Sequence, residues 1–311
     1  SDPPPPPSEY ALNRPRREGN GSKFGFRVAG GTFQMMACCP FSGAIGCRDR
    51  NSQPFKVEVS SAALLLMDLH AHLCINEVIG FMGGTCDIDN RSIVVQRVYP
   101  ARGLASGWDV EMDPLAEVEL RSEIANDGMQ VVGWYHSHPV FQPNPSGVDV
   151  DNQINYQTLF RDPASGLEPF IAFIVGPYDL RLPSQASEMN AFCVQQRLGV
   201  PTPMEVKYNS ASREAPDSTF QAASTLEAAM KLVQSQKGVE NRVQPTELWR
   251  AFTHLSADGA PSGGPLTKLA KTRAALRVHL EGTHLSADEA EDFLDEVAKS
   301  IQTSWEVDLG Y

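Results

Sequence analysis

Residues 129–149 read MQVVGWYHSHPVFQPNPSGVD, and the interpretation of the whole chain depends on this stretch. Its apolar first part, which ends at His136, predicts a buried strand. The Pro-rich part that follows predicts a loop, and a helix is expected at Val148–Phe160. Side chains two apart at the end of a strand face the same way, so His136 and His138 are expected to point at one place. The loop and the start of the helix then bring Asp149 back to it.

These three side chains have the composition of a catalytic metal site. Two imidazole nitrogens and one carboxylate oxygen leave a fourth tetrahedral position open, which distinguishes a catalytic zinc site from a structural one. Water in that position becomes acidic enough to ionise near neutral pH. Glu77, at the start of a predicted strand, is the candidate general base and acid. Ser146 is the candidate donor to the oxyanion of a tetrahedral intermediate.

The other histidines show no such pattern. His70 and His72 are also two residues apart, but they lie on a predicted helix, where this spacing places side chains on nearly opposite faces. We therefore expect one of them to be exposed and the other to be packed. His254, His279 and His284 stand alone in the C-terminal region and are expected to be ordinary exposed or packed residues.

Composition restricts the class of protein. The chain has 311 residues, of which 41% are hydrophobic, enough for a core domain with a second smaller unit or tails. The net charge of −12 argues against strong direct binding of nucleic acid, and the longest apolar runs, such as Ala62–Met67, are too short to cross a membrane. Six scattered cysteines predict reduced thiols. We expect a soluble nuclear or cytoplasmic protein; its first residue, Ser1, makes it a candidate piece of a longer one.

The predicted elements divide the chain into three parts. Residues 1–23, with a run of five prolines, are expected to form a disordered tail. Residues 24–208, with a core at 54–208, alternate strands and helices and predict an α/β or α+β domain. Residues 209–311 predict a helical extension of unassigned role that is separable from the chemistry. Its helices are expected at Ser224–Gln236, Pro245–His254, Leu266–His279 and Ala287–Gln302.

The five candidate residues also match a known motif in their spacing. They are His136-x-His138, seven intervening residues, Ser146, two more residues and Asp149, with Glu77 upstream. This arrangement resembles the JAMM motif of the MPN-domain metalloproteases without a gap. A pair of histidines arises easily by chance, whereas the full spacing with an upstream glutamate does not.

The sequence around the motif narrows the resemblance to one branch. Residues 54–84, 112–114 and 133–156 resemble the Myb-like, SWIRM and MPN domain histone deubiquitinases and the MPN-domain-containing proteins. The resemblance covers about residues 54–208 and does not reach the C-terminal helices. It implies the MPN fold, a mixed sheet flanked by helices, and a nuclear location is slightly favoured.

The resemblance also implies a reaction, the cleavage of the isopeptide bond between ubiquitin or a ubiquitin-like protein and a lysine. By resemblance, His136, His138 and Asp149 bind zinc, Glu77 is the general base and acid, and Ser146 stabilises the oxyanion. The expected partners are ubiquitin or ubiquitin-like conjugates. A histone or another chromatin protein is a candidate target, and an MPN-type subunit is a candidate partner.

Two segments are expected to flank a groove for the extended ubiquitin tail, again by resemblance. They are residues 102–111 and 140–145, with Trp108 and Phe141 as candidate lining residues. As lone aromatics, both are equally compatible with ordinary packing. Two alternatives stay open: a non-catalytic MPN scaffold in a multiprotein complex, and a JAMM protease for another amide bond, because the motif specifies the chemistry and not the substrate.

Overall fold

The computed structural model describes residues 27–28, 31–32, 35–47, 49–105, 110–210, 217, 219–256 and 260–306. The N-terminal tail predicted at residues 1–23 and the groove candidate Trp108 lie outside these ranges. No helix within them combines the length and the apolar character needed to cross a membrane.

Six helices lie in the described part of the chain. They are α1 (Ser61–Leu73), α2 (Pro114–Asn126), α3 (Gly147–Leu159), α4 (Ala222–Ser235), α5 (Lys268–Leu280) and α6 (Ala287–Glu306). The first two begin at capped residues: Ser60 Oγ accepts the Ala63 N–H at 3.1 Å, and Asp113 caps α2 ahead of Pro114. These caps satisfy N–H groups that have no partner inside a helix.

Seventeen strands are described, and nine of them form one mixed sheet. They are β1 (Arg27–Val28), β2 (Gly31–Thr32), β3 (Cys39–Pro40), β4 (Lys56–Val59), β5 (Ile79–Asp87), β6 (Ser92–Pro100), β7 (Gly103–Ala105), β8 (Val110–Met112), β9 (Gln130–Ser137), β10 (Ile171–Gly176), β11 (Glu188–Arg197), β12 (Val200–Glu205), β13 (Tyr208–Ser210), β14 (Leu248–Arg250), β15 (His254–Leu255), β16 (Pro261–Ser262) and β17 (Leu266–Thr267). The sheet order is β13-β4-β6-β5-β9-β10-β11-β12-β3. The predicted α/β class, a mixed sheet flanked by helices, is confirmed.

Side-chain alternation along the central strand β9 builds a separate apolar layer on each face of the sheet. Tyr135 joins the cluster under α1, whereas its neighbour Trp134 joins the cluster with Tyr156 of α3 and Ile124 of α2. Both aromatic rings of β9 are fully buried. Because His136 follows at the same alternation as Trp134, it lies on the α3 face of the sheet.

The C-terminal helices cover the outer side of α1. Ala229 of α4, Leu276 of α5 and Leu294 of α6 belong to the same buried cluster as Leu65 and Leu69 of α1. The boundary predicted at residue 208 stays a prediction, but one continuous apolar core crosses it. We therefore expect that removal of the extension would expose the apolar surface of α1.

One predicted helix of the extension, Pro245–His254, is wrong. This segment contains the short strand β14, which pairs with β17, and the start of β15. Long side chains from β14 reach other parts of the fold: the Arg250 guanidinium donates to the carbonyl of Leu182, and the Trp249 indole N–H donates to the carbonyl of Tyr178. These tertiary contacts override local helical preference.

The interface between α1 and α5 contains a buried network of charged and polar groups. Asp68 accepts hydrogen bonds from Ser187 Oγ at 2.6 Å and from His279 Nε2 at 2.9 Å, and its carboxylate lies 3.0 Å from His72 Nδ1. The Lys271 ammonium lies 3.4 Å from His72 Nε2. Burial alone would raise the pKa of Asp68, but His72 and His279 outweigh it and hold that pKa well below its usual range. Burial lowers the pKa of Lys271 to about 8.

This network corrects two expectations about histidines. His70 and His72 are both buried, instead of one being exposed, because α1 is covered by the sheet on one side and by the extension on the other. His70 contacts the Tyr135 hydroxyl at 2.8 Å, and burial lowers its pKa to about 3. His279 is not isolated, since it binds Asp68.

Replacing the central carboxylate of this network should destabilise the protein. Asp68→Asn leaves His279 and Lys271 buried without their anionic partner, and breaking a buried ion pair on one side typically costs roughly 3–5 kcal/mol. The folded pKa of Asp68 is depressed, so its contribution is present above the unfolded pKa of about 4 and is lost as the pH falls further. Urea unfolding at pH 7 should show the full loss, and the difference between the two proteins should shrink in acid.

The matched control is Asp292→Asn, the same change at an exposed position of α6. It should leave the free energy of unfolding nearly unchanged. Equal effects of the two substitutions would contradict the assignment of a stabilising role to the buried network.

Candidate metal centre

The candidate site lies where two strands end and where a third strand and a helix begin: β9 and β10 end here, and β5 and α3 start here. The Val78 N–H donates to Ser137 Oγ at 3.0 Å, and the Ser137 N–H donates to the Val78 carbonyl at 3.0 Å. The His138 N–H donates to the carbonyl of Val175 at the end of β10. These bonds bring the residue before β5 next to the residue after β9, and Glu77 Oε1 lies 3.8 Å from His138 Nε2.

The N-terminus of α3 supplies the third candidate ligand. Ser146 is the N-cap: its Oγ accepts the Asp149 N–H at 3.2 Å, while Asp149 Oδ2 accepts the Ser146 N–H at 2.7 Å. This reciprocal pair is a capping box, and it orients the Asp149 carboxylate in the helix's first turn, where the helix dipole favours negative charge. The other oxygen, Oδ1, lies 3.3 Å from His136 Nε2.

The distances among the three candidate ligands fit a tetrahedral ion. The Nε2 atoms of His136 and His138 are 3.2 Å apart, and Asp149 oxygens lie 3.3 Å from the first and 3.7 Å from the second. Zinc bonds of about 2.0–2.1 Å give a ligand–ligand edge of about 3.3 Å. The group is buried, and it is the one set of metal-binding type found among the described residues.

A hydrogen bond orients one candidate imidazole, and ring stacking positions the other. His138 Nδ1 lies 3.1 Å from the carbonyl of Gln142, which accepts a hydrogen bond from the Nδ1–H and leaves the Nε2 lone pair free for a metal. His136 Nδ1 is buried without a hydrogen-bond partner in the described structure, and the His136 ring stacks on Trp134 at 4.7 Å and 11°. Two facing nitrogens beside a carboxylate, in a buried position, are a donor set that fits zinc.

The electrostatic environment keeps the third candidate ligand, Asp149, ionised. Burial alone would raise the pKa of Asp149, but the neighbouring His136 and His138 outweigh it and hold that pKa well below its usual range. A metal ligand must be deprotonated, so this carboxylate is ready to coordinate a cation at neutral pH.

A buried amide that no sequence motif predicts lies behind the site and supports it. Gln153, one helical turn after Asp149, accepts the Trp134 indole N–H at 2.8 Å and donates to the carbonyl of Phe170 at 2.9 Å. It therefore holds the ring on which His136 stacks. In the sequence, the one indication of this residue is that it lies four positions after Asp149, on the same face of α3. Helix periodicity identifies it only when the buried face of the helix is known. A separate indication, the Ser-x-x-Asp spacing of Ser146 and Asp149, is typical of a capping box and predicts that α3 begins at this point.

The groove candidates have different outcomes. Phe141 packs on the His138 ring at 4.6 Å and is half-buried, so it lies beside the candidate metal site. Trp108 lies outside the described residues; of its segment, the structure describes β7 and β8, which pair antiparallel with Gly103 opposite Met112. Val140 is 57% exposed on the other flanking segment.

The segment that contains the candidate ligands matches a known family. Residues 52–161 match the family model described as "JAB1/Mov34/MPN/PAD-1 ubiquitin protease". The chain contains a JAB/MPN domain. The predicted resemblance is thus confirmed, and the matched segment runs from β4 to α3 and includes all five candidate residues.

The relatives with the same domain are longer proteins. The chain is 38% identical to human "Deubiquitinase MYSM1" over 166 residues, which is 53% of this chain and 19% of that protein. It is 35% identical to the histone deubiquitinase MYSM1 of Xenopus laevis over 57% of this chain and 21% of that protein. It is 33% identical to "MPN domain-containing protein" of Danio rerio over 65% of this chain and 44% of that protein. The chain spans less than half the length of each of these relatives.

The three candidate ligands generate a prediction about metal content. The purified protein should bind one zinc ion per chain, and His136→Ala or Asp149→Ala should lower that content, because each removes one of three convergent ligands. Elemental analysis after gel filtration measures it. His284→Ala, a histidine lost from an exposed position, is the control and should retain full zinc. Full zinc in His136→Ala would contradict the ligand assignment.

Proposed function

We propose that this chain is a zinc-dependent isopeptidase that removes ubiquitin or a ubiquitin-like protein from lysine side chains. The observation that carries the proposal is the buried group of His136, His138 and Asp149 with Glu77 3.8 Å from one ligand nitrogen. Relatives named as deubiquitinases support the substrate class, and the one named as a histone deubiquitinase supports a chromatin target and a nuclear location.

In the proposed mechanism, Nε2 of His136, Nε2 of His138 and an oxygen of Asp149 hold the ion. A bound zinc ion supplies a Lewis acid that lowers the pKa of water and polarises the scissile carbonyl. Glu77 accepts the proton of the attacking water as the new carbon–oxygen bond forms. The same carboxyl then donates the proton to the lysine nitrogen as the carbon–nitrogen bond breaks, so no net proton remains on the protein.

Ser146 has two roles in this proposal. As the N-cap of α3 it accepts the Asp149 N–H through an oxygen lone pair, which fixes the ligand carboxylate. The cap does not use the hydroxyl hydrogen, so Ser146 can also donate to the developing oxyanion of the tetrahedral intermediate.

The alternative is a non-catalytic scaffold with the same fold. Five polar groups converge in a nearly buried position, and burial of such groups is costly unless a partner compensates for it. A non-catalytic scaffold has no need for five polar side chains at this place, so the presence of all five favours the enzyme.

The amide variant of the proposed base separates metal binding from turnover. Glu77→Gln retains the shape and can still hydrogen-bond water, but it cannot accept or return a proton. Because general acid–base groups contribute about a hundred- to ten-thousandfold, cleavage should be at least about a hundredfold slower with zinc content unchanged. The assay uses linkage-defined diubiquitins and ubiquitinated nucleosomes, with zinc measured on the same samples.

Three other outcomes would each identify a different error. Near-normal cleavage by the Gln variant would mean that another group is the base. Loss of zinc would make Glu77 a ligand. Equal inactivity of wild type and variant on every conjugate, with zinc bound, would favour the scaffold.

A serine substitution tests whether Ser146 contributes to turnover beyond stabilising α3. Ser146→Ala removes both and should slow cleavage by about a hundredfold or more at saturating substrate. Ser286→Ala is the matched control, because Ser286 forms the corresponding capping box with Glu289 at the start of α6, which lines no part of the site. Both variants should lose similar stability in urea unfolding, about 0.5–2 kcal/mol. Equal rates for the two variants would show that Ser146 only caps the helix.

A further inference from the structure

Tyr178 connects the candidate metal site to the C-terminal extension. Its backbone N–H donates to the carbonyl of Pro139, the residue directly after His138, at 2.9 Å. Its hydroxyl donates to the His72 carbonyl of α1 at 2.9 Å and lies 3.4 Å from Thr272 Oγ1 of α5. With 4% of its surface exposed, Tyr178 is held at both ends.

The extension holds the loop after β10 from the other side. The Trp249 indole N–H donates to the carbonyl of Tyr178 at 3.0 Å, and the Arg250 guanidinium donates to the carbonyl of Leu182 at 2.7 Å while stacking on the Trp249 ring at 4.0 Å. Tyr178, Leu182 and Trp249, together with Val243, form an apolar cluster of their own. Both sides of the loop's backbone at Tyr178 are therefore bonded, one to the metal-site loop and the other to β14.

We propose that the C-terminal extension positions the metal ligand His138, with Trp249 as the positioning residue and Tyr178 as the connection. The chain of contacts runs from the Trp249 indole to the Tyr178 carbonyl, and from the Tyr178 amide to the Pro139 carbonyl next to His138. The role of His138 as a zinc ligand rests on the proposed function. The mechanical connection itself does not, since each of its bonds joins protein groups.

This arrangement assigns a role to a part of the chain that the sequence analysis left unassigned. His138 follows the end of β9, so its backbone no longer has two sheet neighbours, and local contacts must determine where its imidazole points. The carbonyl of Gln142 orients the ring, and the Tyr178 amide holds the turn between them at Pro139. Loss of support behind a ligand typically weakens metal binding by about ten- to a hundredfold.

The test compares two tryptophans of the extension. Trp249→Phe retains an aromatic ring but loses the N–H that binds the Tyr178 carbonyl. Trp305→Phe is the matched control, because Trp305 is similarly buried and its N–H donates to the carbonyl of Val243. Val243 packs in the same apolar cluster as Tyr178, but loss of this bond removes neither of the two backbone bonds of Tyr178. Two quantities are measured in each full-length variant: hydrogen exchange of the Tyr178 amide in the metal-free protein, and the zinc dissociation constant by competition with a chromophoric chelator.

Trp249→Phe should speed exchange at Tyr178 by about five- to tenfold, the effect of losing one supporting hydrogen bond, and weaken zinc binding by about tenfold. Trp305→Phe should change neither, although both variants lose some global stability. Equal effects of the two variants, or unchanged values in Trp249→Phe, would overturn the proposal.

Two further variants separate the possible failures. Tyr178→Phe removes the hydrogen bond to the His72 carbonyl and retains the backbone bonds of residue 178. It should also speed exchange of the residue 178 amide and weaken zinc binding. This variant decides the question if Trp249→Phe does not fold. His138→Ala must weaken zinc binding strongly. If it does not, the ligand assignment of the proposed function has failed, and the exchange measurement alone decides whether the extension restrains the loop.

Discussion

The reciprocal hydrogen bonds between Ser146 and Asp149 are the interaction on which the candidate site depends. They begin α3 and at the same time turn the Asp149 carboxylate towards the two imidazoles near the end of β9, with Oδ1 3.3 Å from His136 Nε2 and Oδ2 3.7 Å from His138 Nε2. A strand end alone offers two nitrogens, and a helix N-terminus alone favours an anion. Only their junction, joined by a loop with three prolines, brings the donor atoms of three candidate ligands within 4.8 Å of one another.

Contacts from the rest of the molecule support this junction between the end of β9 and the start of α3. The sheet neighbours β5 and β10 bring Glu77 and the support for His138 to the same edge, and Gln153 holds the ring behind His136. Beyond the JAB/MPN domain, α5 is joined to α1 by the buried Asp68 network, and β14 braces the loop that contacts Pro139. The extension is thus structurally continuous with the domain, which explains why so much charge is buried between them.

Local signals in the sequence were sufficient where the chemistry is local. The strand–loop–helix unit and the convergence of His136, His138 and Asp149 follow from periodicity and spacing, and the structure has them. The failures involve distant partners. The expected helix at Pro245–His254 is β14 because Trp249 and Arg250 bind carbonyls about seventy residues away in the chain, and His72 is buried because α5 covers it. No spacing rule within either segment contains that information.

X-ray absorption at the zinc edge, recorded on the zinc-loaded protein, tests the central claim most directly, because it reports the ligands without reference to any substrate. The account predicts about four nitrogen and oxygen neighbours at about 2.0–2.1 Å, with outer-shell scattering from two imidazoles and a solvent oxygen in the fourth position. Sulfur scattering at about 2.3 Å, or a spectrum with no more than one imidazole, would contradict the assignment of His136, His138 and Asp149.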